Sequence, residues 1–376
     1  MRAEGIEGRG GVTVDTKRFD IQPLLGCALP DAAAFLDRWH ADGDQGASTE
    51  RRLRWLLEEN PLATAISEHG LCIRDAAGAI AGLLLSFPGA FRAGDRRILA
   101  LGSGGYFVEP PARTLGFYLF KRHLSRPGYA FFFSTTCNAT SGALWKMLGA
   151  GAVSNSDAEY VLPLDLEVML PSFLDGRTSS TRAANVARVV GRWAKAVRRR
   201  AAETSAGVIT EPCRDWEKLA DLSRRHRSAD WITTDRSAAF LQWRYGPSSP
   251  NRASDIRVFR DRRGHEGWFV LERTIRGLRR QIRGRVLLDA TWPRDTMSFD
   301  DVLAAVCRAA APDADAIYFR PRLGVDHGEY RRWIIRRRRE PPSVFAIAGK
   351  GGAPLAVSSL DLVPADGDDG FPDGDS

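Results

Sequence analysis

The sequence predicts an α/β protein built from two similar units in tandem. The chain has 376 residues, which is long enough for two domains of ordinary size, and 44% of them are hydrophobic, which is enough for two cores. An internal repeat divides it: a segment that ends at Trp55 and leads to Pro61 returns as a segment around Trp243 that leads to Pro250. In both copies a strand, a glycine-containing turn and a second strand follow.

Short apolar runs bounded by turn residues predict the strands of both copies. The expected strands and turns are 71–74, 75–78 and 80–87 in the first copy, and 256–260, 261–267 and 268–272 in the second. Later in each copy, the apolar runs 130–133 and 316–319 precede a tryptophan at similar separation. Each copy is expected to end in one further strand of its own, 160–164 in the first and 344–348 in the second.

Composition along the chain predicts five segments. They are a flexible arm at 1–17, a first unit at 18–166, a linker at 167–206, a second unit at 207–349 and an acidic disordered tail at 350–376. Within the linker, residues 181–204 have the apolar spacing of a basic amphipathic helix. Such a helix can lie on an anionic membrane or an RNA backbone, but a connector that packs its apolar stripe on its own domains is the preferred interpretation.

The formal net charge of +8 comes mainly from arginine, and a basic surface favours anionic ligands. A genome rich in G and C would also encode arginine where other genomes encode lysine. No run of about 18 apolar residues predicts a membrane span, and the N-terminus has no apolar signal core. Five scattered cysteines without a CxxC pair argue for free thiols in a reducing compartment, so the expected location is cytoplasmic. The six histidines lack metal-ligand spacing, so no metal is expected.

The most informative motif is Val108-x-Pro110-x-x-Arg113-x-x-Gly116, which follows a predicted strand and begins a predicted helix. A helix N-terminus offers unpaired N–H groups and a partial positive charge, so it suits a pyrophosphate. Downstream, Asn138 begins another helix, which ends in the sequence LWKMLGA from 144 to 150.

These two motifs resemble the GNAT superfamily of acyl-CoA N-acyltransferases, over residues 40–165 by motif and over 207–348 by repeat alone. The resemblance implies two tandem GNAT-like domains in a two-domain, Fem-like arrangement, each a mixed, mostly antiparallel sheet flanked by helices. It implies an acyl-CoA co-substrate, acetyl-CoA first, and an amine acceptor such as an amino-sugar or a small metabolite. Tyr118 stands where the family has Gly or Ala, and Trp145 replaces the tyrosine that often protonates the leaving thiolate.

The resemblance also implies the residues of the site. The residues expected to bind the co-substrate are Phe107, Val108, Arg113, Thr114, Leu115, Gly116, Phe117, Tyr118 and Asn138. The backbone N–H groups of Phe107 and Val108 are the expected donors to the thioester oxygen. Glu109 is the candidate base, with Glu68 a weaker one, and Tyr106 and Tyr118 are the tyrosines that can replace the missing acid. The glycine-rich residues 102–105 are expected to form a bulge where two strands part.

The second unit has Asp289 and the sequence ATWPRDTM from 290 to 297 in place of the glycine-containing loop, so the co-substrate is placed in the first unit only. Two alternatives stay open: a Fem-like transferase that uses aminoacyl-tRNA, and a non-catalytic scaffold with this fold. The intact Arg113-x-x-Gly116 loop favours acyl-CoA, so no nucleic-acid partner is expected. The acyl group, the acceptor, the pathway, the oligomeric state and the effect of Trp145 on activity cannot be derived from the sequence.

Overall fold

A computed structural model gives the structure of the chain. It describes residues 19–39, 48–154, 156–165, 167–169, 207–250, 254–276, 281–320, 336–339, 341–350, 356–363 and 366. The predicted arm at 1–17 and the predicted basic helix at 181–204 lie outside these residues. Among the described residues, no helix has the length and apolar composition needed to cross a membrane.

The described strands, in chain order, are β1 (Phe19–Pro23), β2 (Gly70–Asp75), β3 (Ile80–Ala93), β4 (Arg96–Val108), β5 (Phe131–Ser134), β6 (Gly151–Ala152), β7 (Ala158–Pro163), β8 (Ile209–Pro212), β9 (Ile232–Thr234), β10 (Asp255–Arg260), β11 (Glu266–Arg276), β12 (Ile282–Thr291), β13 (Ala316–Phe319), β14 (Arg336–Arg339), β15 (Phe345–Ala348) and β16 (Leu360–Asp361). The described α-helices are α1 (Leu29–Asp37), α2 (Thr49–Leu57), α3 (Arg113–His123), α4 (Ala139–Met147), α5 (Trp216–Arg225), α6 (Ala238–Tyr245) and α7 (Phe299–Ala310). The strands and helix starts predicted in both copies are therefore confirmed, with shifts of a few residues at their ends.

These strands form two mixed, mostly antiparallel sheets. The first has the order β1-β2-β3-β4-β5-β15-β6, with β9 and β16 attached beside β3. The second has the order β14-β7-β13-β12-β11-β10-β8. In each sheet one central pair is parallel, β4 with β5 in the first and β12 with β13 in the second.

Helices cover both faces of each sheet, because central strands such as β3, β5 and β13 bury apolar side chains on both sides. In the first sheet, Phe35 of α1 and Trp55 of α2 belong to the core of one face, and Phe120 of α3 and Trp145 of α4 belong to the core of the other. In the second sheet, α5 and α6 pack on one face and α7 packs on the other. The predicted fold of two repeated α/β units is confirmed.

Trp55 and Trp243, which occupy equivalent positions in the sequence repeat, contact each other directly. Their rings stack with centroids 4.7 Å apart. The indole N–H of Trp55 donates to the carbonyl oxygen of Trp243 at 3.1 Å, and the indole N–H of Trp243 donates to the carbonyl oxygen of Trp55 at 2.9 Å. Reciprocal bonds of this kind are the pattern of a two-fold axis, so the contact between these two residues is locally two-fold symmetric.

The last strand of each half is exchanged with the other half. β15 pairs with β5 and β6 in the first sheet, although it comes from the second half of the chain. β7 pairs with β13 and β14 in the second sheet, although it comes from the first half. The prediction that each copy closes with its own strand is therefore wrong: the strands exist, but each completes the opposite sheet. The predicted domain bounds follow the order of the chain, whereas each sheet combines strands from both halves. The domain bounds therefore stay predictions.

Part of the predicted acidic tail is packed against both halves. β16 pairs with β9, and Leu360 and Val363 are buried in cores of the first and the second half. Arg294 pairs with Asp361 at 3.2 Å. The expectation of a solvated tail from residue 350 onward is therefore corrected for residues 356–363 and 366.

A buried ionic cluster holds this segment to the second half. Arg236 donates from Nε to Asp289 Oδ2 at 2.7 Å and from Nη2 to Asp289 Oδ1 at 2.9 Å. Asp366 lies with Oδ1 3.8 Å from Nη2 of the same arginine. Burial raises the pKa of Asp366 to about 6. Asp289 is thus the main counter-charge of the buried guanidinium, and Asp366 lies farther from it.

Candidate functional site

The centre of the first sheet opens into a wedge between β4 and β5. The two strands pair in parallel at three positions: Ala100 with Phe131, Leu101 with Phe132, and Gly102 with Phe133. No later residues of the two strands pair. β4 continues to Val108 while β5 ends at Ser134, so the two strands part beyond Gly102. We call this gap, bounded by residues 103–108 and 134–137, the wedge. Its apex lies at Gly102 and Phe133, and its mouth lies at the start of α3.

A β-bulge in β4 lies along the wedge. Leu85 pairs with Gly104 and Leu83 pairs with Phe107, so two residues of β4 face a single residue of β3. Gly105 has a φ of 54°, a left-handed conformation that glycine adopts without a steric cost. The bulge expected in residues 102–105 is thus present, at the end of that segment and at Tyr106.

The register decides which backbone groups face the wedge. Glu109 N–H donates to Ala81 O at 2.9 Å, so residues 81 and 109 form a hydrogen-bonded pair. Bonded and non-bonded pairs alternate in an antiparallel ladder. Phe107 therefore directs its N–H to β3, whereas Val108 directs its N–H away from β3 and into the wedge. Of the two expected donors, the structure places Val108 alone toward the gap.

The mouth of the wedge leads into a helix N-terminus that no side chain caps. The residues before α3 form a 3₁₀ turn that begins with Pro110 and Pro111, and the first turn of α3 contains no acidic residue. Arg113 and Thr114 are exposed there. The equivalent helix of the second half, α7, is closed by a capping box in which Ser298 and Asp301 bond to each other's backbone N–H groups. The two halves thus differ in whether this terminus can receive an anion.

Gly116 is a point of contact between α3 and β4. A Cβ atom at this position would lie 2.3 Å from the Tyr106 hydroxyl oxygen and 3.3 Å from Val108 Cγ2. Tyr106 also packs on Phe120, with centroids 4.7 Å apart, and burial raises the pKa of its hydroxyl. The structure therefore places Tyr106 under α3 as a packing residue, with its hydroxyl against the helix backbone.

Replacing Gly116 by alanine is expected to lower the free energy of unfolding by about 1–3 kcal/mol, because the new methyl group must displace Tyr106. Urea unfolding of the variant measures this loss. Ala143→Gly, at an exposed position of α4, is the control for exchanging glycine and alanine in a helix. It is expected to lower the free energy of unfolding by about 1 kcal/mol or less. A Gly116→Ala variant as stable as the wild type would show that the contact is not rigid.

The two candidate bases both have arginine partners. Glu109 forms an ion pair with Arg38 at the C-terminus of α1, with Oε1 and Nη2 3.2 Å apart. Next to it, Trp39 stacks on Phe107 with centroids 5.9 Å apart. Glu68 pairs with Arg126 at 2.7 Å, on the turn that precedes β2. Glu109 lies beside the mouth of the wedge, whereas Glu68 is fixed by an arginine that follows α3.

The remaining predicted residues lie on the helices beside the wedge. Leu115 and Phe117 are half-buried on α3, and Tyr118 is exposed. Asn138 caps α4: its Oδ1 accepts from Thr140 N and Ser141 N at 3.0 and 2.9 Å. Its amide Nδ2 makes no hydrogen bond within the described ranges.

Trp145 is fully buried in the core between α3 and α4, in edge contact with Phe120 at 5.6 Å. It therefore lies beneath the site as a core residue, which explains the aromatic ring at this position without any chemical role.

Sequence reasoning did not include two groups that the structure places here. Arg38 and Trp39 border the mouth, although α1 is distant in sequence. His123 is fully buried beneath the sheet, where its Nδ1 lies 2.9 Å from Ser86 Oγ. Burial lowers the pKa of His123 to about 3, so its ring is neutral. The described residues contain no cluster of three or more His, Cys, Asp and Glu side chains that could hold a metal ion.

The wedge between two parallel central strands, the bulge and the following helix define the fold of the GCN5-related N-acetyltransferases, here present twice with exchanged strands. No protein-family model matches the chain, and no curated protein matches its sequence.

Three solved structures share this fold. The first is a conserved protein of unknown function from Enterococcus faecalis V583, with a TM-score of 0.54, 10% identity, and coverage of 88% of this chain and 72% of that one. The second is a GCN5-related N-acetyltransferase from Anabaena variabilis, with a TM-score of 0.51, 12% identity, and coverage of 88% and 72%. The third is Saccharomyces cerevisiae N-myristoyltransferase with bound myristoyl-CoA, with a TM-score of 0.51, 11% identity, and coverage of 95% and 84%. The fold expected from the two motifs is confirmed.

Proposed function

We propose that this chain is an acyl-CoA-dependent N-acyltransferase that binds its co-substrate in the wedge of the first half. The observation that carries the proposal is the parting of β4 and β5 beyond Gly102, which leads directly to the uncapped N-terminus of α3. A linear molecule with an anionic end fits such a gap, with its phosphates at the helix and its acyl group between the strands. Two of the structures that share the fold are named as acyltransferases, and one of them binds myristoyl-CoA.

The charges at the two helix starts support a phosphate site in the first half. Pro110 and Pro111 lead into a helix start that has exposed Arg113 and no carboxylate in its first turn. In the second half, Asp300 and Asp301 occupy the first turn of α7, and the capping box already uses the N–H groups of Ser298 and Asp301. An anion is favoured at the first terminus and repelled at the second. The second half then serves to frame the site for the acceptor.

The residues at the mouth supply the chemistry. Val108 N–H points into the wedge and stabilises the negative charge that develops on the thioester oxygen. The acceptor amine forms a bond to the carbonyl carbon as the carbon–sulfur bond breaks, and the electron pair leaves with the sulfur as a thiolate. Glu109 takes the proton of the amine, directly or through a water molecule. Arg38 holds Glu109 by its Oε1, which orients Oε2 for that proton.

No separate acid is required by this arrangement. Tyr106 is packed under Gly116, and Tyr118 is exposed on α3. A thiolate is a better leaving group than an amine at neutral pH, because the pKa of a thiol is lower than the pKa of an alkylammonium group. The proposed acceptor is a small amine or an amino-sugar.

Replacing Thr114 by glutamate is expected to weaken CoA binding by about tenfold or more, because it adds a carboxylate at the proposed phosphate site. Thr114 is exposed at the second position of α3, where glutamate does not disturb the helix. Isothermal titration of the full chain with CoA and with acetyl-CoA measures the change. This variant is a sharper test than one at Gly116, since a side chain there would displace Tyr106.

Ala239→Glu is the matched control, because Ala239 is exposed at the second position of α6 in the second half. The control adds the same charge at the same helix position and is expected to leave CoA binding unchanged. Wild-type chain that does not bind CoA or acetyl-CoA at all would contradict the proposed function. Equal weakening by the two variants would contradict the assignment of the phosphates to α3.

A further inference from the structure

We propose that Arg92, Arg97 and Arg227, which we call the arginine cluster, bind the doubly charged phosphate group of a small phosphate monoester. The cluster lies where the β3–β4 hairpin of the first half meets the loop between α5 and β9 of the second half. The site is independent of the proposed function, because the cluster and the mouth of the wedge lie at opposite ends of β4. β4 runs from Arg96 to Val108, roughly 35–40 Å of extended strand.

Two of the three arginines are opposite each other across the β3–β4 hairpin. Arg92 on β3 is the register partner of Arg97 on β4, so the two side chains share one face of the sheet. Like charges at directly opposite positions of a sheet repel each other. The two arginines share one carboxylate: Asp235 places Oδ1 3.1 Å from Arg92 Nε and Oδ2 3.4 Å from Arg97 Nε. A single negative charge therefore balances two positive charges here.

The backbone fixes Asp235 beside the hairpin, but the two arginines keep unused donors. The N–H group of Asp235 donates to Ala90 O at 2.8 Å, directly after the pairing of β9 with the end of β3. Arg92 Nε is buried and makes no hydrogen bond among the described residues, and Arg92 Nη1 donates to Asp95 O at 3.1 Å. Arg92 Nη2 and both Nη atoms of Arg97 donate to no acceptor in the described part of the chain. These groups remain able to bind an anion.

Arg227 adds a third guanidinium from the second half of the chain. It is half-buried on the loop between α5 and β9, and none of the ion pairs within the described ranges includes it. Burial lowers the pKa of Arg227, and the charge of Arg92 lowers that pKa further, whereas Asp235 and Asp95 raise it. Arg227 is therefore close enough to Arg92 and Asp235 to interact with both electrostatically, without forming an ion pair with the carboxylate.

The cluster has an excess of two positive charges, because three guanidiniums share the one carboxylate of Asp235. The other charged residues nearby offset one another. Asp95 is next to Arg96 on the exposed hairpin turn, and Asp221 and Asp230 balance the two arginines at the end of α5. The excess at the cluster therefore remains for a ligand.

A phosphate monoester matches this excess. Near neutral pH it carries close to two negative charges, and its three terminal oxygens accept hydrogen bonds. Guanidinium groups bind phosphate through paired N–H donors, and such charge-assisted hydrogen bonds are stronger than those between neutral groups. A phosphate diester, as in a nucleic acid or a phospholipid, carries only one charge per phosphate and matches less well. A bound monoester connects both strands of the hairpin to the second half.

The test is isothermal titration of the full chain with glycerol phosphate, a monoester, and with dimethyl phosphate, a diester, at low ionic strength and slightly alkaline pH. The wild type is expected to bind glycerol phosphate about tenfold or more tightly than dimethyl phosphate. Arg227→Gln and Arg97→Gln are each expected to weaken glycerol phosphate binding by about tenfold or more, because each removes charge-assisted hydrogen bonds. A cooperative thermal unfolding transition shows that each variant is folded.

Arg263→Gln is the matched control, because Arg263 is exposed on the turn between β10 and β11 and the substitution removes the same charge. It is expected to leave glycerol phosphate binding unchanged. Thr114→Glu is also expected to leave this binding unchanged, since Thr114 belongs to the proposed phosphate site at α3. If Thr114→Glu removes the binding and Arg227→Gln does not, glycerol phosphate binds at α3 and the arginine cluster is not its site.

The remaining outcomes are equally distinct. Equal affinity for the two esters would overturn the assignment to a monoester and indicate a polymer or lipid phosphate instead. Equal losses in Arg227→Gln and Arg263→Gln would overturn the site. No binding of glycerol phosphate to the wild type overturns this inference and leaves the proposed function standing. If CoA does not bind but glycerol phosphate does, the proposed function fails and the arginine cluster stands.

Discussion

Replacing Asp289 by asparagine is expected to lower the free energy of unfolding by about 3–5 kcal/mol, because it leaves the guanidinium of Arg236 buried without its main counter-charge. Both side chains are almost completely inaccessible, and two short hydrogen bonds join them. Asparagine has nearly the same shape, so the loss reports on charge. Asp366 is a weak substitute, because it lies farther from Arg236 and burial raises its pKa to about 6.

Urea unfolding at neutral pH measures the effect, and Asp221→Asn is the matched control. Asp221 pairs with Arg224 and Arg225 on the surface of α5, where an ion pair contributes about 1 kcal/mol or less. Equal losses in the two variants would mean that the cluster around Arg236 is open to water in solution.

Replacing Trp55 by alanine is expected to cost about 3–5 kcal/mol, the usual range for a large aromatic side chain in a core. The variant loses the stacking on Trp243, the two reciprocal indole hydrogen bonds become one, and Arg244 loses the ring that lies 5.1 Å from its guanidinium carbon. The loss falls on both halves, because Trp55 comes from the first half and its partner Trp243 from the second.

A double-mutant cycle with Trp243→Ala measures the coupling, which is expected to be about 1–3 kcal/mol because the two residues are in direct contact. Trp39→Ala is a control for tryptophan removal at a half-exposed position and is expected to cost much less. Additive losses for Trp55 and Trp243 would show that the reciprocal contacts do not contribute as a unit.

The repeat, the strands and the motif helices could be predicted because their signals are local. Apolar runs between turn residues indicate strands wherever they occur, and the segment around Trp55 returns around Trp243. The Val108–Gly116 pattern and the Asn138 cap describe short stretches of backbone, and the structure has a helix start at each.

The exchange of strands could not be predicted, because an apolar run does not show which sheet it joins. β7 and β15 are equivalent in the repeat, so either assignment satisfies the pattern equally well. The Arg38–Glu109 pair was missed for a similar reason, since nothing local connects α1 to the end of β4. Trp145 was read as a replaced catalytic residue, yet position along a motif does not tell whether a ring faces a ligand or the core.

The exchanged strands also bear on synthesis of the chain. β5, which forms one side of the wedge, has β15 as its other neighbour, and the ribosome makes β15 only after the whole second half. Until then β5 is an open edge with unpaired backbone groups, the kind of surface that chaperones shield and that other chains can pair with. A product that stops early therefore lacks a complete first sheet, even though it contains the whole wedge motif.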